Sequence, residues 1–193
     1  MITTRTNLVA LALLCLPALT LSSSAKPVQS RDHLTPQEVE LVKDAQVLDQ
    51  RIEIFVKAAD RRLLVLTGVD APSPKQLKKD SEKWGELPNG SRAELLGDIA
   101  KILDEAVTNI DDVSARDERN PLIPKALRKL AAEATRIFDQ LRPLREQARG
   151  DAETARFEEL TENAESILEA ATKLPPPVEK KGKGKEEKAK GKN

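Results

Sequence analysis

The chain is poor in the residues that most chemistry requires. Its 193 residues include one cysteine (Cys15), one histidine (His33), one methionine and no tyrosine. The aromatic side chains are Phe55, Trp84, Phe138 and Phe157. Cys15 lies in a segment expected to be removed, so the remaining chain would hold no iron–sulfur cluster, c-type haem or disulfide. One imidazole cannot supply the paired ligands of most zinc, copper or di-iron sites. Triad catalysis needs a histidine on a rigid scaffold, and His33 falls in a polar lead-in, where it reads as a solvated loop residue. GxxxxGKS/T, GxGxxG and EF-hand spacings are missing from the sequence. So few aromatics offer no base-stacking platform and no aromatic cage. The expectation is a protein with no catalytic residues, no metal, no cofactor and no small-molecule substrate, hence not an enzyme.

What the sequence does contain begins with an address. Arg5 precedes an apolar run from Leu8 to Leu21, too short for a comfortable membrane span, and Ser23-Ser24-Ala25 follows with small residues suited to cleavage. Residues 1–25 read as a signal peptide, with Lys26 as the first residue after cleavage; an uncleaved anchor is the second reading. Cys15 is not a lipoprotein acceptor, because Leu14 stands where a small residue is needed and apolar residues continue after it. The protein is therefore expected to be exported, to the periplasm or outside the cell, with no transmembrane helix after cleavage. An exported chain without disulfides must draw its stability from its core.

At the far end, Pro175-Pro176-Pro177 stops the last helix. The segment after it carries seven Lys against three Glu and no apolar side chain larger than Ala and Val178. Residues 175–193 cannot offset their own ordering entropy and are expected to be disordered. Residues 27–178 hold 23 basic and 29 acidic side chains, so the neutral total conceals an acidic body and a basic tail.

Between an irregular lead-in at 26–34 and that tail, residues 35–174 show four stretches of helical periodicity. The first opens at Thr35-Pro36-Gln37-Glu38, a capping box with Pro at the first helical position. Its stripe of Leu41, Ala45, Leu48, Ile52, Phe55, Ala59, Leu63 and Leu66 predicts one helix running to Gly68. Val39, Val42, Val47, Ile54 and Val56 widen its apolar face, which suits a helix that packs on two neighbours or carries the linker helix. The second opens with the capping box Ser91-Arg92-Ala93-Glu94 and carries Leu96, Ile99, Leu103, Ala106, Ile110 and Val113. The third carries Leu127, Leu130, Ala134, Ile137, Leu141, Leu144 and Ala148, with Pro143 expected to kink it without ending it. The fourth carries Phe157, Leu160, Ala164, Ile167, Ala171 and Leu174. Its stripe is out of phase with the third, so Gly150-Asp151 reads as a tight turn with Asp151 as the next N-cap.

In the long first connection, Ser73-Pro74-Lys75-Gln76 and Gly85 bracket a short helix at 74–85, with Leu77 and Trp84 facing the bundle and Trp84 plugging its end. No stretch alternates with period two. The predicted fold is all-α: an antiparallel four-helix bundle with a short extra helix in the long first connection and a disordered C-terminal tail.

Two charged faces are the remaining candidates for recognition. Arg128, Lys129, Arg136, Arg142 and Arg149 fall at the outer positions of the third stripe, a basic row suited to anions or an acidic partner. Glu158, Glu162, Glu165 and Glu169 form an acidic row on the fourth. Outward carboxylates lack the burial that would separate their pKa values, so this row reads as a solvated face. The adjacent pairs Asp104-Glu105 and Asp111-Asp112 point about 100° apart on a helix and are not catalytic pairs. The functional expectation is a cell-envelope structural or protein-interaction module, monomeric or weakly dimeric, that binds without catalysis. The second expectation is a protein that binds an anionic envelope polymer or surface through the basic row and the Lys-rich tail. Nucleic acid is not an expected partner.

Overall fold

The computed structural model describes residues 31–69 and 71–176. The expected signal peptide, most of the lead-in and nearly all of the tail lie outside the described residues. The described residues form helices and no strand: α1 (Pro36–Asp44), α2 (Leu48–Thr67), α3 (Pro74–Trp84), α4 (Arg92–Arg116), α5 (Leu122–Arg145) and α6 (Gly150–Thr172).

The starts follow local chemistry. Thr35 and Ser91 each accept from the backbone N–H three residues on, and Glu38 and Glu94 return the bond to the cap N–H. Ser73 caps α3 by accepting from Gln76 N, with Pro74 at the first position. Gly68 ends α2 in the left-handed conformation (φ 65°), where a side chain would be strained.

The expected single helix from 35 to 68 is corrected: it is broken at Ala45–Val47 into α1 and α2. Neither Pro nor Gly causes the break. A continuous helix would hold Glu38 and Arg62 about 36 Å apart at 1.5 Å per residue. Folding α1 back brings them to 2.7 Å. The Ala45 carbonyl freed by the break accepts from Arg51 Nε (3.2 Å) and Nη2 (2.9 Å), and Gln46 Nε2 donates to Lys43 O (3.0 Å). Tertiary charge pairing has overridden an unbroken apolar stripe.

The other end is also corrected. α5 stops at Arg145, two residues after Pro143, because the missing N–H weakens the last turn. Ala148 follows in the turn, partly buried against the core. The N-cap of α6 is Arg149 and not Asp151, its first residue is Gly150 (φ 76°), and the Glu153 carboxylate caps its start by accepting from Arg149 N at 2.9 Å.

Leu48, Ile52 and Phe55 of α2 pack with Leu96, Ile99 and Leu103 of α4, with Leu130, Ala134 and Ile137 of α5, and with Phe157, Leu160 and Ile167 of α6. Cross-links fix the directions. Arg51 meets Asn109 and Arg62 meets Asp98, so α2 and α4 run oppositely. Asp49, Glu53 and Asp60 meet Lys125, Lys129 and Arg136, a constant offset of 76 residues, so α2 and α5 run the same way. Arg92 meets Glu153 and Asn163 Nδ2 donates to Ala100 O (2.9 Å), so α4 and α6 also run the same way. The backbone of α2 runs close to those of α4 and α5 and not to that of α6. Of the wide face on the first stripe, Val56 is buried, Val39 and Val42 pack on the core, and Val47 in the break is exposed.

Candidate functional site

The basic row of α5 is largely engaged within the molecule. Lys129 Nζ reaches Glu53 at 2.6 Å, and Arg136 bridges Asp60 on α2 and Glu133 on its own helix (2.7 Å). Arg128 donates to the carbonyls of Pro124 and Pro175, and Arg142 pairs with Asp139. Arg149 lies in the turn before α6 with its side chain exposed. The row therefore does not form one continuous free cationic face. Exposed pairs of this kind contribute about 0–1 kcal/mol each. Their constant spacing matches the register in which α2 packs on α5.

The acidic row of α6 is exposed at all four positions. Within it, Lys173 lies 2.8 Å from Glu169 and its hydrogen bond holds that carboxyl below the usual carboxylate value. Among the described residues, no cluster of three or more His, Cys, Asp or Glu side chains is placed to hold a metal ion. Nor is any described helix long and apolar enough to cross a membrane.

A group of buried charges lies where sequence reading placed none. Glu38 is fully buried, and Arg61, Arg62 and Asp98 are nearly so. Glu38 Oε2 completes the α1 capping box by accepting from Thr35 N (2.9 Å). Its other oxygen lies 2.7 Å from Arg62 Nη1 and 3.1 Å from Arg61 Nε. Arg62 also donates to Ala58 O (2.8 Å) and His33 O (2.7 Å), and its Nε lies 3.9 Å from Asp98. Arg61 donates to the carbonyls of Gly85 and Glu86 and lies 5.8 Å from the Trp84 ring centroid. Burial pulls the Arg61 pKa down, opposed by the charge of Glu38. His33 is not a solvated loop residue: it is half-buried, with Nε2 2.7 Å from Glu105 on α4. The signal in the sequence was position. Arg62 continues the alternation 48, 52, 55, 59, 62, 66, which places a cation on the packed face.

This cluster fixes one end of α3 beside a cleft. α3 comes into backbone proximity with α1 and not with α2. It reaches α2 through side chains alone, by Trp84 over Arg61 and by Lys57 to Asp80 at 3.5 Å. Gly85 (φ 70°) allows the close approach of α1, since a Cβ there would meet the Gln37 side chain at 2.9 Å. The gap left between α2, α3 and α5 has a volume of about 510 Å³, a size suited to a ligand or a few partner side chains. Its apolar wall includes Leu64, Leu77, Val69 and Leu87, of which Val69 is 50% and Leu87 39% exposed. A smaller hollow of about 270 Å³ lies among Phe138, Leu141 and Phe157, with Arg142 on its rim.

Asp60 and Arg136 form the α2–α5 side of the cleft. Burial pushes the Asp60 carboxyl above its ordinary 3.8, and the hydrogen bond and charge of Arg136 pull it back only in part. The folded state then holds the Asp60 proton more tightly than the unfolded chain does. Stability attributable to this group falls as pH rises from 3.8 through the raised value. Asp60→Asn removes that fall. Denaturation of both proteins below pH 3.8 and at neutrality checks this: the stability difference should shift toward the variant at the higher pH. A shift the other way would assign Asp60 a carboxyl stabilised by its pairing.

The chain matches no known family model, and neither a curated protein nor a solved structure is significantly similar to it.

Proposed function

We propose that the chain is an exported, non-catalytic protein-interaction module of the cell envelope. In this reading α2, α4, α5 and α6 close as a four-helix bundle with two antiparallel and two parallel neighbours, and α1 and α3 form a partial outer layer. Export rests on the sequence signals alone: Arg5, the Leu8–Leu21 run and Ser23-Ser24-Ala25.

The observation that carries the binding role is the cleft between α2, α3 and α5. It holds Val69 and Leu87, two of the five large apolar side chains exposed among the described residues, in one concave site, whereas Val47, Val65 and Leu168 lie outside it. A standing apolar wall in a concave site has a cost in water that a docked partner removes. The polyanion reading draws less support, because Lys129 and Arg136 already hold Glu53 and Asp60. Photocrosslinking in intact cells from position 87, with an outer position of α5 as control, tests the proposal. An adduct specific to position 87 supports it.

A further inference from the structure

We infer that Asn89 is a site of spontaneous modification: its side-chain amide is lost by cyclisation onto the Gly90 nitrogen, leaving aspartate and isoaspartate in the connection between α3 and α4. Asn89-Gly90 is the sole Asn-Gly step in the sequence. Glycine matters here because it has no Cβ to hinder the approach of its own nitrogen to the preceding side chain. The pair lies outside any helix, and both residues are exposed. Among the described residues, neither the Asn89 carboxamide nor the Gly90 N–H has a hydrogen-bond partner.

The other described asparagines each miss these conditions. Asn109 and Asn163 lie inside α4 and α6, where the following N–H is committed to the helical ladder. Asn109 Nδ2 donates to Glu105 O (2.9 Å) and Asn163 Nδ2 to Ala100 O (2.9 Å). Asn120 precedes Pro121, which has no N–H to give up, and its Oδ1 accepts from Leu122 N (3.0 Å). Asn89 alone among them joins a free amide, a free following nitrogen and access to water.

The reaction needs only water and hydroxide. The Gly90 N–H gives its proton to hydroxide, and the nitrogen attacks Asn89 Cγ. The new C–N bond closes a succinimide ring, and the bond from Cγ to the side-chain nitrogen breaks, releasing ammonia. A water molecule then opens the ring. Opening at Cγ leaves aspartate. Opening at the backbone carbonyl leaves isoaspartate, whose main chain runs through Cγ and is longer by a carbon. Either product adds a negative charge at neutral pH. That charge stands just before the α4 N-cap Ser91, where it suits the helix macrodipole, so the fold accommodates it. It also stands close in the chain to Leu87, so the margin of the cleft gains charge as the molecule ages.

Incubation of the full-length protein at neutral pH, with samples digested by trypsin over time, tests the inference. Cleavage after Lys83 and Arg92 releases peptide 84–92, which carries Asn89 and the sole tryptophan. The expected result is that this tryptophan-absorbing peptide divides into parent, aspartyl and isoaspartyl forms, with isoaspartate in excess of aspartate. The peptides carrying Asn109 and Asn163 should stay unchanged. Loss of the Asn89 amide in the folded protein should be within about thirtyfold of its rate in free peptide 84–92. Asn89→Gln, which would have to close a larger ring, should leave the peptide as a single species. Persistence of Asn89 for as long as Asn109 and Asn163, or slowing beyond that range, would overturn the inference by showing that the fold protects the step. Aspartate without isoaspartate would overturn the succinimide route.

Discussion

Glu38→Ala is expected to destabilise the protein by about 3–5 kcal/mol, the usual cost of removing one partner from a buried ion pair. Without the carboxylate, Arg61 and Arg62 face each other in a buried site, with Asp98 as the nearest acid at 3.9 Å from Arg62 Nε. The α1 capping box also loses the acceptor for Thr35 N. α1 is then held to α2 by the packing of Val39 and Val42 alone, so its amides should exchange with solvent far faster than those of α4. Chemical denaturation measures the first effect and hydrogen exchange the second. Replacing Glu38, Arg61, Arg62 and Asp98 together by Leu, Leu, Met and Asn should recover much of the loss, because no charge of the cluster is then left buried. A single variant as stable as the parent would show that the cluster is solvated in solution.

Phe55→Ala is expected to cost a similar amount, about 3–5 kcal/mol. Phe55 is fully buried and packs where α2 meets α4 and α5. Total stability for a domain is about 5–15 kcal/mol, so either variant removes a large share of it. The two differ in character. Phe55→Ala leaves a void and should lower the melting temperature by roughly 10 °C while leaving α1 exchange in proportion to the rest. Glu38→Ala should release α1 selectively. Thermal melts paired with exchange separate the two.

Much of the architecture was legible because it follows from local chemistry. Thr35, Ser73 and Ser91 mark three helix starts, Gly68 and Gly85 mark two ends, and Leu96, Ile99, Leu103, Ala106 and Ile110 trace the buried face of α4. The break at Ala45–Val47 was not legible, since its cause lies in contacts 24 residues away between Glu38 and Arg62. Glu38 was read for its capping half alone, because a capping box accounts for a Glu at that position without any burial. Apolar periodicity cannot show a charge that takes a packed position, so Arg62 and Asp98 were passed over. The basic row of α5 was found, but its meaning depended on Asp49, Glu53 and Asp60 arriving on a neighbouring parallel helix. The cleft arises from the stand-off between α3 and α2. Val69 and Leu87 gave the one available sign, as apolar residues placed just beyond two helix-ending glycines.

The most direct test of the docking role is site-specific photocrosslinking in intact cells. A photoreactive side chain is placed at Leu87 in the cleft and, in separate strains, at Arg149 and Glu165 on outer faces. The account predicts one discrete protein adduct from position 87 and none of that mass from the other two. Adducts of equal yield from all three positions, or an adduct from position 149 alone, would contradict it.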